Sequence, residues 1–196
     1  MLKPYHHGDL RAAVLTAAEQ VIARDGVDQL SLRSLAAELG VSHTAPRHHF
    51  GSREGVLTAL AAEGYQLLAD ALEEAGAKGD FAAVGVAYVL FAISHPGHFA
   101  VMYRPELVDG SDRDLRRAQE RTAAQLDAGA RAHNGGSPER IAVAAIAAWS
   151  LVHGLATLKL SGALDGAGLP QRAGGDLSSV ASRAVRQLFG GIPPSQ

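Results

Sequence analysis

The chain has 196 residues, a formal net charge of −2 and no cysteine. The absence of cysteine excludes disulfides, zinc sites built from thiolates and cysteine nucleophiles. Hydrophobic residues make up 47% of the chain and aromatic residues only 5%, so alanine, leucine and valine must fill most of the core. Alanine favours helices most strongly, and runs of β-branched or aromatic residues are scarce, so we predict an all-α fold.

Apolar residues at helical spacing predict three helices near the N-terminus, from Asp9 to Asp25, from Ser31 to Gly40 and from Ser42 to His49. Gly26 ends the first helix, because glycine readily adopts the left-handed conformation that follows helix C-termini. Ser31 and Ser42 are expected to cap the second and third helices. Pro46 lies close to the start of the third helix, where few amides have an internal partner and proline costs little.

Further helices follow toward the C-terminus. In chain order we predict a long helix from Arg53 to Ala75, a helix from Phe81 to Ser94 that Pro96 stops, a short apolar segment from Phe99 to Tyr103, a polar-faced helix from Asp112 to His133, an apolar helix from Ser137 to Ser161, a glycine-rich loop over residues 162–176 and a last helix from Leu177 to Leu188. Serine followed by proline at positions 137 and 138 is typical of a helix start.

The helix predicted from Ser137 to Ser161 is apolar nearly all round, so we expect burial on both sides, with a partner chain as the second cover. Its length also fits a membrane span, but Ser150, His153 and Lys159 interrupt the apolar stretch and favour a buried helix. The N-terminus shows no charged segment followed by an apolar one, as a secretory signal would. We therefore predict a cytoplasmic protein that does not contact a membrane.

The predicted second and third helices are short and are joined by Gly40, Val41 and Ser42. This is the sequence form of a helix-turn-helix, whose second helix enters the major groove of DNA. No acidic residue lies between Glu38 and Glu54, a window that holds two arginines and three histidines. Such a basic patch is typical of phosphate contacts, although a solvated loop that happens to lack acidic residues has the same composition.

The run SLRSLAAELGVS over residues 31–42, followed by Ala45 and by HFGSRE over residues 49–54, resembles the DNA-binding domain of the TetR family of transcriptional regulators. The resemblance extends back through Gly26 of the first helix and covers about residues 9–60. Small, apolar and glycine positions agree across three helices, which makes the resemblance specific.

The resemblance implies a DNA-binding transcriptional regulator with two domains. Residues 1–52 would form the helix-turn-helix DNA-binding domain with an N-terminal arm, and residues 53–196 a C-terminal ligand-binding and dimerisation domain. The family further implies a homodimer and a repressor that a small molecule releases from a palindromic operator in double-stranded DNA. A weaker resemblance, carried by PGHF at residues 96–99 and WSLVHG at residues 149–154, links the chain to a subgroup with a Trp…His-Gly motif.

The expected DNA contacts come from the third helix, the turn before it and neighbouring segments. They are Lys3, Arg33, Ser42, His43, Thr44, Ala45, Arg47, His48, His49 and Arg53. The family usually has a tyrosine at the position of Arg47, so this arginine could contact either a phosphate or a guanine.

Two further sets of residues are predicted for the C-terminal part. Candidate ligand-pocket residues are Phe91, His95, Phe99, Met102, Tyr103, Leu126, Trp149 and His153. The alternative is a plain core role, with a packed Trp149 and a hydrogen-bonded His153 on the same helix face. Candidate dimer-interface residues are Val143, Ala147, Leu151, Leu155, Leu158, Val180, Ala184 and Leu188.

The sequence carries no signature of catalysis, since it has no Gly-x-Ser-x-Gly elbow, phosphate-binding glycine loop or His-Glu-x-x-His helix. His95 and His98 are three residues apart, but Pro96 and Gly97 interrupt the helix between them and no carboxylate is close in sequence. We therefore predict no metal site, no cofactor and no enzyme. Two alternatives without DNA binding remain open: a helical protein-interaction module and a small metal-binding protein.

Overall fold

The computed structural model describes residues 10–77, 81–134 and 136–189. Its helices are α1 (Leu10–Asp25), α2 (Leu32–Glu38), α3 (Ala45–Phe50), α4 (Arg53–Gly76), α5 (Phe81–Ser94), α6 (Pro96–Met102), α7 (Arg113–Asn134), α8 (Pro138–Leu160), α9 (Ala163–Gly166), α10 (Leu169–Ala173) and α11 (Leu177–Phe189). Short 3-10 turns cover Val27–Gln29 and Pro105–Leu107. None of the described residues forms a strand, so the predicted all-α fold is confirmed.

Local signals set the boundary between the first two helices as predicted. Gly26 has a φ of +88°, and its amide donates to the Ile22 carbonyl at 3.0 Å. At the start of α2, the Ser31 hydroxyl accepts from the Ser34 amide at 3.0 Å, and the Ser34 hydroxyl accepts from the Ser31 amide at 3.2 Å. This reciprocal capping box satisfies two amides that otherwise have no helical partner, and it confirms Ser31 as the N-cap.

The predicted cap of the third helix is wrong. α3 begins at Ala45, and its N-cap is Thr44, whose side chain makes no capping hydrogen bond. The chain first forms a turn in which the Ala45 amide donates to the Ser42 carbonyl at 2.9 Å. The Ser42 and Thr44 hydroxyl oxygens are 3.0 Å apart, so both side chains belong to this turn. Pro46 occupies the first turn of α3, as expected.

Two C-terminal segments differ from the prediction. Pro96 follows the end of α5 but also opens α6, because its fixed φ suits the first position of a helix. Residues 162–176, predicted as a loop, contain the short helices α9 and α10. α9 is anchored by the buried side chain of Leu164 and by an ion pair of 2.6 Å between Lys159 Nζ and Asp165 Oδ2.

The described chain forms two compact units that are discontinuous in sequence. Unit 1 contains residues 10–65 and 95–119, and unit 2 contains residues 66–94 and 120–189, without the gaps stated above. Helices α4 and α7 therefore each contribute to both units. These boundaries follow packing, whereas the functional division at residue 52 stays a prediction.

In unit 1, α1 packs against α6. Gly97 of α6 allows a close approach, because a Cβ at this position would lie 2.3 Å from the Glu19 carbonyl oxygen. The Gly97 amide also donates to Glu19 Oε1 at 3.3 Å. Elsewhere in the unit, buried Thr58 donates its hydroxyl to the Glu54 carbonyl at 2.8 Å and accepts from the Asp109 amide at 2.9 Å. This side chain therefore ties α4 to the segment before α7.

In unit 2, α5 packs against α8 and α11. α8 buries one face, formed by Ile141, Ala145, Ala148, Val152 and Ala156. The opposite face exposes Val143 and Ile146, each 61% accessible, and Leu158, 48% accessible. A single chain thus covers only one side of α8. The helix also has the length and apolar composition of a membrane span, a property that core helices of soluble proteins share.

Candidate nucleic-acid interface

Most residues predicted to contact DNA form an exposed polar surface on the helix-turn-helix, here called the reading surface. It comprises Arg33 on α2, His43 and Thr44 with Ser42 in the turn, and Arg47, His48 and His49 on α3. Ala45 is half-buried at the start of α3, and Lys3 lies outside the described residues. The reading surface carries arginine, imidazole and hydroxyl groups and no carboxylate, a composition suited to phosphates and base edges.

The helix-turn-helix positions this surface through its own core. Leu35 and Ala36 of α2 are buried, and Pro46 on the inner side of α3 is fully buried. The Val41 amide donates to the Ala36 carbonyl at 3.0 Å, which holds the turn against α2. Because Pro46 faces inward, the three residues that follow it point their charged and imidazole groups toward solvent.

Arg53 has a different environment from the reading surface. Its side chain is half-buried, and its guanidinium donates from Nε to the Leu30 carbonyl at 3.0 Å and from Nη2 to the Val27 carbonyl at 2.7 Å. These partners lie 23 and 26 positions earlier in the chain, and periodicity gives no sign of them. The structure thus gives Arg53 intramolecular partners, while its contact with DNA stays a prediction.

Sequence analysis missed Arg11. Its guanidinium carbon lies 5.6 Å from the centre of the Phe50 ring, a cation–π distance. Phe50 is the last residue of α3, so the contact links α1 to the C-terminal end of the helix expected to read DNA. Arg11 is exposed and adds positive charge next to that helix.

Three of the predicted ligand-pocket residues cluster in unit 1. Phe99 and Met102 are buried, and the rings of Phe99 and Tyr103 meet edge to face at 5.3 Å. Tyr65, which sequence analysis did not single out, contacts Tyr103 at 5.7 Å and donates its hydroxyl to the Met102 carbonyl at 2.7 Å. Burial raises the pKa of Tyr65, so its hydroxyl stays a donor.

His98 also lies in unit 1 and has a carboxylate partner that sequence spacing did not reveal. Its Nε2 is 3.0 Å from Glu63 Oε2 of α4, and its ring meets that of His95 edge to face at 5.8 Å. The ring is buried, and its Nδ1 has no hydrogen-bond partner among the described residues. Among the described residues, no group of three or more metal-ligating side chains is placed to hold a metal ion.

Other predicted ligand-pocket residues lie in unit 2. Trp149 donates its indole N–H to Tyr88 Oη at 3.3 Å, and Tyr88 Oη is 2.9 Å from His153 Nδ1. An indole can only donate, so Tyr88 Oη accepts from Trp149, while donor and acceptor in the hydrogen bond between Tyr88 and His153 depend on the histidine tautomer. Burial lowers the pKa of His153, which favours the neutral imidazole. Trp149 is 41% exposed.

The remaining candidates of that set have core environments. Phe91 is buried in α5. Leu126 of α7 packs against the cluster formed by Ala130, Ile141 and Ala145. Both side chains therefore contribute to the packing of unit 2, and a contact with a ligand stays a prediction for the whole set.

The predicted dimer-interface residues on α8 and α11 are partly uncovered in the single chain. Val143, Ala147 and Leu158 are exposed, whereas Leu151, Leu155, Val180 and Ala184 are half-buried. The side chain of Leu188 lies outside what the structure describes. The uncovered apolar area is what a second chain would bury.

Comparison with known proteins identifies the class. The helix-turn-helix segment matches the family model "Bacterial regulatory proteins, tetR family" over residues 14–60. The C-terminal segment matches "Tetracyclin repressor-like, C-terminal domain" over residues 81–188. A helix-turn-helix with an exposed basic second helix, joined to such a domain, defines a DNA-binding transcriptional regulator. The chain belongs to the TetR family, which confirms the family and the regulatory function predicted from the sequence.

Individual proteins are similar to this chain in fold or in sequence. A solved protein of unknown function from Rhodococcus sp. RHA1 is 35% identical, with a TM-score of 0.75 over 97% of this chain and 99% of that one. The TetR family transcriptional regulator PfmR from Thermus thermophilus is 19% identical, with a TM-score of 0.69 over 92% of this chain and 98% of that one. The uncharacterized HTH-type transcriptional regulator Rv0681 of Mycobacterium tuberculosis is 28% identical over 159 residues, which are 79% of this chain and 72% of the relative.

Proposed function

We propose that this TetR-family regulator is a cytoplasmic repressor that binds a palindromic operator as a homodimer and leaves it when a small molecule binds its C-terminal part. The observation that carries the proposal is the reading surface. It presents positive charge and hydrogen-bond donors on both helices of the helix-turn-helix, where a major groove would meet them.

In this proposal α3 lies in the major groove. Arg47 and Arg33 bind phosphates or a guanine, and Ser42, His43, Thr44, Ala45, His48 and His49 contact base edges or sugar-phosphate oxygens. Two α3 helices of a symmetric dimer would read two half-sites about 34–36 Å apart, one turn of DNA, or a multiple of this distance. The operator is then a palindrome, because a dimer with two-fold symmetry presents the same reading surface to each half-site.

The uncovered face of α8 supports the homodimer. Val143, Ile146 and Leu158 expose apolar side chains there, and burial of apolar area stabilises association. A membrane would also cover such a face. A second chain fits better, because α8 packs its other face on α5 and α11 as a core helix does.

The hydrogen-bonded set of Trp149, Tyr88 and His153 supports effector binding in unit 2. Ligand sites combine apolar walls with a few polar groups that fix the ligand's orientation, and this set offers hydroxyl, imidazole and indole groups beside a partly exposed indole ring. A ligand that prefers one arrangement of these groups shifts the dimer between two states, by no more than its difference in affinity for them. No role as an enzyme or cofactor-binding protein is part of the proposal.

Selection of bound duplexes from a random DNA library tests the proposal. The full chain is incubated with the library at moderate salt, bound DNA is recovered, and Arg47→Gln is run in parallel as a variant of the reading surface. We expect enrichment of one palindrome by the wild type and much weaker enrichment by the variant. Equal enrichment by both proteins, or none by either with correctly folded dimer, would contradict the assigned surface.

A further inference from the structure

Arg53 opens α4, but its side chain turns back to the segment that precedes α2. Its two N–H donors reach the carbonyl oxygens of Val27 and Leu30 at 2.7 and 3.0 Å. Val27 begins the 3-10 turn after α1 and Leu30 is its C-cap, with the Leu30 amide donating to the Val27 carbonyl at 3.2 Å. The side chains of Val27 and Leu30 are 7% and 3% exposed, so this turn is anchored in the core of unit 1.

The chain topology gives these hydrogen bonds a specific position. Leu30 immediately precedes the N-cap of α2, and Arg53 follows α3 after Gly51 and Ser52. The guanidinium therefore joins the two ends of residues 31–52, the segment that contains the whole helix-turn-helix. We propose that Arg53 is a positioning residue that closes the base of the helix-turn-helix and orients the reading surface, and that it is not a phosphate ligand.

The chemistry of the contact requires arginine. A guanidinium is a planar fork that can donate to two separate carbonyls at once, whereas a lysine ammonium is a point charge on a flexible stem. The positive charge of Arg53 does not stabilise α4, since a cation in the first turn of a helix lies at the positive end of the helix dipole. The two carbonyl contacts occupy Nε and Nη2 of the guanidinium, and a lysine ammonium could not reproduce this two-pronged geometry.

DNA binding tests the proposal, and this test depends on the regulatory function proposed above. The affinities of wild type, Arg53→Lys and Arg53→Gln for the selected duplex are measured between about 50 and 200 mM salt. Arg47→Gln on the exposed side of α3 calibrates the assay. Each phosphate contact contributes about 0.9 to the slope of log affinity against log salt concentration. We expect both Arg53 variants to bind about tenfold more weakly with the wild-type slope.

The opposite pattern would overturn the proposal. Arg53 is a phosphate ligand if Arg53→Lys binds as tightly as wild type while Arg53→Gln has a shallower dependence of log affinity on log salt concentration, by about 0.9 per protomer. Circular dichroism of each variant excludes global unfolding as the reason for weak binding.

Hydrogen exchange of the DNA-free protein provides a readout that is independent of DNA. We expect amides in residues 32–50 to exchange faster in both Arg53 variants, and amides in α8 to exchange as in wild type. Exchange at the wild-type rate in residues 32–50 of both variants would refute the positioning role of Arg53. If wild type binds no duplex at all, the proposed function fails, while hydrogen exchange still decides whether Arg53 holds the helix-turn-helix.

Discussion

Replacing Gly97 with alanine tests the closest backbone approach in unit 1. The added Cβ would lie 2.3 Å from the Glu19 carbonyl oxygen and 3.0 Å from its carbonyl carbon, whereas ordinary contacts start at 3.4 Å. Glu19 is in the middle of α1, and its carbonyl cannot rotate away as a side chain would. α6 must therefore retreat by about 1 Å, and we expect the free energy of unfolding to fall by about 2–3 kcal/mol, the upper part of the range for overpacking.

Urea denaturation followed by circular dichroism measures this loss, at one fixed protein concentration because the proposed dimerisation would make stability depend on concentration. Gly76→Ala near the end of α4 is the matched control, since its Cβ would meet Val84 at an ordinary 3.8 Å. Alanine favours helix, so this control should be neutral or stabilising by less than about 1 kcal/mol. A Gly97→Ala protein within about 0.5 kcal/mol of wild type would refute the reasoning, because α6 could then move away from α1 at little cost.

Three further predictions each concern one side chain. Thr58→Val leaves the Asp109 amide without its acceptor and should cost about 1–3 kcal/mol in urea denaturation, whereas Thr58→Ser, which keeps the hydroxyl, should cost much less. Val143→Glu on the open face of α8 should shift the dimer toward monomer in analytical ultracentrifugation, and a wild-type dimer in this variant would contradict the assigned interface; Ala128→Glu on the exposed side of α7 is the charge-matched control. Burial lowers the pKa of His153, so the unfolded chain takes up the proton first as pH falls through about 6.5. The His153 side chain should therefore lower the free energy of unfolding below that pH. On acidification, the free energy of unfolding of wild type should fall relative to that of His153→Gln. A difference between the two proteins that does not change with pH would contradict this prediction.

Local sequence signals predicted most of the helices, whereas the contact of the reading surface with DNA stays a prediction. Gly26 and Ser31 act through neighbours within four residues, and their effects were therefore readable from the sequence. The turn before α3 was harder to predict, because Ser42 and Thr44 are both good caps and the turn uses both hydroxyls. In the glycine-rich segment the prediction missed α9, which is held by the burial of Leu164 and by the ion pair of Lys159 with Asp165.

Contacts between residues distant in sequence could not be predicted. The hydrogen bonds of Arg53 to the turn before α2, the pair of His98 with Glu63, and the contact of Tyr88 with Trp149 all depend on tertiary packing. Periodicity assigns a residue to a helix face, but it does not say which polar group faces it across the core. For this reason Arg53 was grouped with the DNA contacts by its charge, whereas the structure shows where its guanidinium donates.

Trp149 is the only tryptophan in the chain, and its indole N–H is bonded to Tyr88 while part of the ring stays in water. Fluorescence excited at the red edge of protein absorption therefore comes from one position on α8. The emission maximum and the quenching by iodide would change when a second subunit or a small molecule covers the indole and excludes water from it. The native protein thus contains its own optical probe, and compound libraries could be screened for the effector without a label and before any operator is known.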